Sequence, residues 1–178
     1  EETHRHGILL IFDEVMCLRV GYHGAQGLLG VTPDLTTMGK IIGGGLPIGG
    51  VGGKAEVMSV FDMDRGDNRV KHSGTYTANP MSMAAGYVGM SLLTPEAFAD
   101  LDAQGERIRE GLERIRRDLG IDGYVSGRAS LSALFMTERF ISNYRELAAA
   151  VAGGMLERMT LAQKLMLEEG LLTMRGGF

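Results

Sequence analysis

Four lysines, Lys40, Lys54, Lys71 and Lys164, stand against fourteen arginines, so few side chains can serve as an amine nucleophile. Lys40 has the most suitable setting. It follows Asp34–Gly39, a segment that begins as a strand, and precedes Ile41-Ile42-Gly43-Gly44-Gly45. Glycines beside a lysine let a flat ligand approach the backbone, and partial desolvation lets an amine lose its proton, which a Schiff-base former needs. Spacing alone favours the plainer reading, a surface lysine beside a flexible loop. Asp13 is the second candidate, directly after the apolar run Ile8-Leu9-Leu10-Ile11-Phe12. A carboxylate can hold the nitrogen of a ring ligand in its protonated form, though at a strand end it is as readily a helix cap or a salt-bridge partner. The histidines, His4, His6, His23 and His72, show no metal-ligand spacing beyond the weak His4-x-His6 pair, so they read as structural or solvent-facing and no metal is expected. Cys17 reads as packing near the strand end.

The elements that must position these groups follow from pattern. Ile8–Phe12 reads as a strand buried on both faces of a parallel sheet, which places Asp13 at the strand's C-terminal end, where open α/β sheets bind ligands. Residues 39–53 hold eight glycines in fifteen, which excludes a regular helix and leaves turns around a short strand Pro47–Val51. Asp62–Val70 is charged and aperiodic, a mobile surface loop. Asn79-Pro80 opens a helix to about Leu93, with Asn as cap and Pro at the first position, and Ala84, Ala85 and Gly86 offer close packing. After Thr94-Pro95, Leu101, Ile108, Leu112, Ile115 and Leu119 form an amphipathic stripe, with Glu106, Arg107, Arg109, Glu110, Glu113, Arg116 and Arg117 opposite. Tyr124–Glu138 reads as strand bent at Gly127, and Leu147 to Leu165 as one helix ending near Gly170. The boundary between two parts falls within Thr94–Gly120.

Composition narrows the function classes. A net charge of −4 and a pI near 5.6 give no basic field for nucleic acid or an anionic membrane. One cysteine excludes an internal disulfide and fits the cytoplasm. No apolar run is long enough to span a bilayer. The N-terminus has neither an initiator Met nor a signal-peptide layout, and both ends read as cut from something longer.

The combined string decides between these readings. Leu10-Ile11-Phe12-Asp13-Glu14-Val15-Met16, then Gly24-Ala25-Gln26, then Gly30-Val31-Thr32-Pro33-Asp34-Leu35-Thr36-Thr37-Met38-Gly39-Lys40-Ile41-Ile42-Gly43-Gly44-Gly45-Leu46-Pro47-Ile48-Gly49, resembles the central signature of class III aminotransferases dependent on pyridoxal 5'-phosphate (PLP). It is most like the glutamate-1-semialdehyde 2,1-aminomutase branch, and the likeness runs on through Gly74-Thr75-Tyr76-Thr77-Ala78-Asn79-Pro80 and Met83-Ala84-Ala85-Gly86. It is specific from about Gly7 to Gly86 and general beyond. The resemblance implies an α/β protein of the PLP-dependent transferase fold type I. Residues 1–100 would be part of the large domain with its mixed sheet, and 101–178 a connecting helix and part of a small C-terminal α+β lobe. It implies Asp13 on the cofactor's ring nitrogen, Val15 against the ring face, and Lys40 as Schiff-base lysine and proton carrier. It also implies Gly74 and Thr75 at the phosphate of a neighbouring subunit, hence a homodimer with shared sites. The substrates implied are an amino acid or amine with a keto acid or semialdehyde. On residue type alone Val15 is ordinary core and Thr75 a turn hydroxyl. Arg175 could clamp a substrate carboxylate bidentately, or could simply be exposed. The family's N-terminal half, with its phosphate loop and ring-stacking aromatic residue, is missing from this stretch.

Two departures distinguish the chain from the aminomutase branch. Cys17-Leu18-Arg19 is shorter by one than the usual Thr-Gly-Phe-Arg, and Thr77-Ala78-Asn79-Pro80 replaces Ser-Gly-Asn-Pro; aminotransferase is the broader name that holds. One rival is a nucleotide-binding module, but Ile41 follows Gly39-Lys40 where a Walker A loop needs Ser or Thr. The other is a catalytically incompetent truncated fragment that serves only as a folding or interaction unit.

Overall fold

In the computed structural model, which describes residues 1–174 apart from the side chains of residues 67 and 68, the chain divides into two compact units between Phe98 and Ala99. The first holds a three-stranded sheet in the order β1 (Ile11–Asp13), β2 (Leu35–Gly39), β3 (Gly49–Gly53). β1 runs parallel to β2, pairing Asp13 with Thr37, and β3 runs antiparallel to it, pairing Gly49 with Gly39 and Gly53 with Leu35. The sheet is therefore mixed, as expected. β3 lies two residues beyond the expected Pro47–Val51. Its glycines permit the pairing, since a side chain at Gly53 would overlap the Asp34 carbonyl and Leu35.

The expectation that Ile8–Phe12 is buried on both faces is corrected. Only β2 pairs with β1, and Ile8, Leu9 and Ile11 are each more than half exposed. An apolar run of this kind signals two covered faces, but among the described residues no strand pairs along the outer edge of β1. The segment Asp62–Val70, expected as a loop, carries a 3-10 turn at Met63–Asn68 that Asp62 opens by accepting the Asp64 N–H at 3.0 Å. Side-chain capping rather than an apolar stripe makes that turn, so periodicity misses it.

Four helices complete the first unit, and a fifth leads out of it. They are α1 (Glu2–Arg5), α2 (Gly24–Leu29), α3 (Ala55–Met58), α4 (Pro80–Leu92) and the start of α5 (Pro95–Asp118). α4 begins as expected, with the Asn79 side chain accepting from the amides of Met81 and Ser82. Beyond Phe98 the second unit contains the rest of α5, the hairpin β4 (Tyr124–Arg128) and β5 (Leu131–Phe135), and the helices α6 (Tyr144–Ala152) and α7 (Met155–Glu168). The expected single strand is thus two, joined at Ala129 (φ 53) rather than bent at Gly127, and the expected single helix is broken at Gly154 (φ 83). On α5 the packed face follows the stripe only in part. Leu101 and Leu112 are half-buried, but Ile108, Ile115 and Leu119 are exposed, whereas Arg109 reaches back to the hairpin and donates to the carbonyls of Ala129 (2.6 Å) and Leu131 (2.9 Å).

The accessible surface is 12632 Å². Size scaling gives about 10,000 Å² for two independent globules of these lengths, and the exposed side chains include many large apolar ones. Exposed apolar side chains cluster on α4, where Met81, Tyr87 and Leu92 are each at least 70% accessible.

One buried carboxylate ties the sheet together. Asp34 accepts the Leu10 amide at 2.8 Å, pairs with Lys54 at 2.6 Å and meets His4 at 3.4 Å. The Lys54 ammonium and the Leu10 amide lower its pKa to about 2, and Asp34 in turn raises that of Lys54. An unfolded aspartate titrates near 4. A folded value below the unfolded one means that this stabilisation is present above about pH 4 and is lost as pH falls toward about 2. Urea midpoints measured across that window should fall for the parent chain, and the fall should be shallower for Asp34→Asn.

Candidate active site

Asp13 and Lys40 lie at the C-terminal ends of neighbouring parallel strands, Asp13 closing β1 and Lys40 directly after Gly39 of β2. Asp13 Oδ1 accepts two hydrogen bonds, from the Val15 amide at 3.1 Å and from the Thr37 hydroxyl at 3.1 Å. Oδ2 has no hydrogen-bond partner among the described residues. Val15 packs against Gly39, whose missing side chain would stand 3.3 Å from Val15 Cγ1. The structure thus brings Asp13, Val15 and the residue preceding Lys40 together.

Lys40 is exposed and has no hydrogen-bond or ion-pair partner among the described residues. It opens a 3-10 turn, Lys40–Gly43, with φ 51, the left-handed region that a lysine occupies at a cost of about 1–2 kcal/mol. Of the other lysines, Lys54 is committed to Asp34. Packing against α4 holds the Lys40 turn in place. A side chain at Gly44 would overlap the Ala85 carbonyl and one at Gly86 the Ile42 carbonyl, while one at Gly89 would stand 3.0 Å from the Gly44 Cα. Ser82, buried in α4, donates to the Pro47 carbonyl at 2.8 Å on the far side of the glycine turn. The expected close packing therefore involves Ala85 and Gly86, with Gly89 in addition; Ala84 is exposed.

Gly74 and Thr75 do not join this cluster. Both are exposed in a turn closed by Thr77 N–H to Gly74 O at 3.0 Å, and no hydrogen bond links either to Asp13, Val15 or Lys40. Arg175 lies outside the described residues. Clefts of about 580–600 Å³ lie elsewhere, for instance one between Leu18, Tyr22, Ile41, Met90 and Phe98 and one beside Val51, Phe61, Arg69 and His72. Asp13 and Lys40 themselves stand on open surface. Among the described residues no group of three or more His, Cys, Asp or Glu is placed to hold a metal ion, and no helix is long and apolar enough to cross a membrane.

Two site residues were missed by sequence reasoning. Glu14 is 1% accessible and accepts the amides of Ala25 (2.9 Å) and Gln26 (2.7 Å), anchoring the N-terminus of α2 directly behind Asp13. A side chain at Gly24 would overlap the Glu14 carboxylate. Thr37 is the other. Its only signal was a β-branched hydroxyl residue in the strand leading to Lys40, and nothing local tells which residue of β1 it faces.

The sequence matches the family described as Aminotransferase class-III over residues 1–173. Glutamate-1-semialdehyde 2,1-aminomutase 2 of Halalkalibacterium halodurans is 41% identical over 149 residues, 83% of this chain and 34% of that protein. Among solved structures, a transaminase with PLP bound matches with a TM-score of 0.83 at 38% identity, over 98% of this chain and 39% of that one. A β-phenylalanine aminotransferase from Variovorax paradoxus matches with a TM-score of 0.85 at 37% identity, over 98% of this chain and 40% of that one. The chain spans 34–38% of the length of the curated relatives it matches first.

The seat of the Lys40 turn on α4 can be tested by a reversal of sign. Alanine in place of a helical glycine ordinarily stabilises by about 0.5–1 kcal/mol, and Gly111→Ala in α5, where nothing lies within 4 Å of the new methyl, should do so. Gly86→Ala should instead destabilise by about 1–3 kcal/mol, because its methyl meets the Ile42 carbonyl. Urea unfolding of both variants against the parent measures the contrast.

Proposed function

The chain belongs to the class-III aminotransferase family, and from that premise we propose that it carries the cofactor-attachment part of an enzyme that moves amino groups with PLP. Its fold is the α/β, type I fold of PLP-dependent transferases. The first unit is read as part of the large PLP-binding domain, and the second as the connecting helix and part of the C-terminal lobe. One observation carries the functional reading. A carboxylate and a lysine amine stand at adjacent ends of β1 and β2, on backbone kept bare by glycine, and among the described residues one carboxylate oxygen and the amine have no partner.

These residues fit one end of the cofactor. Asp13 Oδ2 would receive the ring nitrogen, Val15 would lie against the ring, and Lys40 would bond to the aldehyde carbon. When bound, PLP supplies a conjugated ring that draws electrons from the carbon bearing the amino group. Asp13 would hold a proton at the ring nitrogen, where the anion favours the charged form. Lys40 would supply the amine that holds the cofactor, and its Nζ, when free, would carry a proton to and from the reacting carbon. Glu14 keeps α2 seated behind Asp13. The phosphate end finds no donor set in the Asp13–Lys40 cluster. The exposed turn at Gly74 and Thr75 supports the reading that these two serve a neighbouring subunit's phosphate in a homodimer, and the uncovered apolar faces of β1 and α4 support a longer or paired assembly.

The substrates are read as an amino acid or amine with a keto acid or semialdehyde partner. A relative named an aminomutase and a solved structure named an aminotransferase support the two outcomes of the same chemistry, a shift of the amino group within one molecule or its transfer between two. The acidic charge balance and single cysteine support a cytoplasmic setting. The reading that this stretch acts only as an interaction unit rests on the same uncovered faces and predicts no specific lysine chemistry. Adding PLP, reducing with borohydride and mapping peptides by mass separates the two. The expected result is a phosphopyridoxyl group on Lys40 alone, lost in Lys40→Ala and weakened in Asp13→Asn; label spread over all four lysines, or none, overturns the assignment.

A further inference from the structure

The two oxygens of Asp13 are not equivalent. Oδ1 takes both available donors, the Val15 amide and the Thr37 hydroxyl, each at 3.1 Å. An aspartate carboxylate on its own turns freely, because rotation about its terminal torsion is broad and two-fold. The Val15 amide cannot by itself fix that plane, since it belongs to the turn directly after Asp13 and moves with it. Thr37 belongs to a different strand. It is directly opposite Asp13 in the parallel register, so the two side chains share a face of the sheet. It is also the middle residue of the central strand, paired on its other side with Val51, and its β-branched side chain has restricted rotamers.

We propose that Thr37 is a positioning residue for the cofactor, its hydroxyl pinning Asp13 Oδ1 to the central strand so that Oδ2 alone is presented to the PLP ring nitrogen. Thr37 touches neither cofactor nor substrate and acts through Asp13. The inference rests on the functional reading of Asp13 given above. It assigns a task to a hydroxyl that would otherwise be an ordinary strand residue.

The test uses the PLP-loaded enzyme and its Thr37→Val and Thr37→Ser variants, with Thr37→Ala reading the same hydroxyl loss should valine disturb β2. Cofactor release after dilution, followed by absorbance, and the visible circular dichroism of the bound cofactor are the readouts besides activity. Removing the hydroxyl should weaken PLP retention roughly tenfold, the scale for one hydrogen bond to a charged group, diminish the dichroism, and lower kcat more than it changes KM. Serine should restore all three. In the Asp13→Asn background Thr37→Val should add little, because the two residues act as one unit. Parent-like retention in Thr37→Val and Thr37→Ala, a loss that serine does not rescue, or full additivity with Asp13→Asn would overturn the role of Thr37 while leaving that of Asp13 intact. Failure of the parent enzyme to take PLP on Lys40 would overturn both.

Discussion

The parallel register of β1 against β2 is the constraint on which the candidate site depends. A slip of one residue would turn every side chain of β1 to the other face, sending Asp13 away from Thr37. The register is set at the opposite end of the strands from the candidate site. Asp34 accepts the Leu10 amide through its side chain and donates its own amide to the Leu10 carbonyl, while Lys54 returns from the end of β3 to the same carboxylate and to the Asp34 carbonyl. Three segments are therefore aligned by one buried residue before the strands begin to pair. Three residues further on the alignment has delivered Asp13 opposite Thr37, and three more reach Lys40.

What could be read in the sequence was what depends on near neighbours. The Asn79 cap and Pro80 start of α4 need only four residues to be recognised, and the glycine run around Lys40 excludes a helix on composition alone. Asp13 and Lys40 were raised above ordinary candidates by the whole string around them, and the structure supplies the geometry that spacing lacked. Contacts between residues far apart in sequence were not legible. Glu14 finds the α2 amides eleven and twelve residues away, and Thr37 finds Asp13 at a separation of twenty-four. Both are polar side chains whose partners are decided by register and loop path, which no local pattern encodes.

Two of the misread elements share a cause, in that a glycine was given the wrong weight. Gly127 stays inside β4 with φ 159, where any side chain would overlap the Leu131 carbonyl, and the chain reverses instead at Ala129. Gly154 takes a left-handed φ and ends one helix where apolar spacing ran on unbroken. The apolar stripe of α5 failed differently. Arg109 and Arg116 use their long side chains to satisfy carbonyls of the hairpin and of Ile121, so charged residues share the packed face with Leu101 and Leu112 while Ile108 and Ile115 face outward. A hydropathy pattern assumes that charge means solvent; an arginine with backbone carbonyls to bind breaks that assumption.

Lys40 sits where glycine would be at ease, with its backbone in the left-handed region and its amine without a hydrogen-bond or ion-pair partner among the described residues. Folding alone therefore exerts no pull toward lysine at this position and a slight one away from it. A lineage freed from the need for the amine would drift there, toward glycine or asparagine, without harm to the sheet or to α4. A lysine kept at a site the scaffold would rather fill otherwise is the mark that selection for a reaction, as distinct from selection for a stable structure, would leave behind.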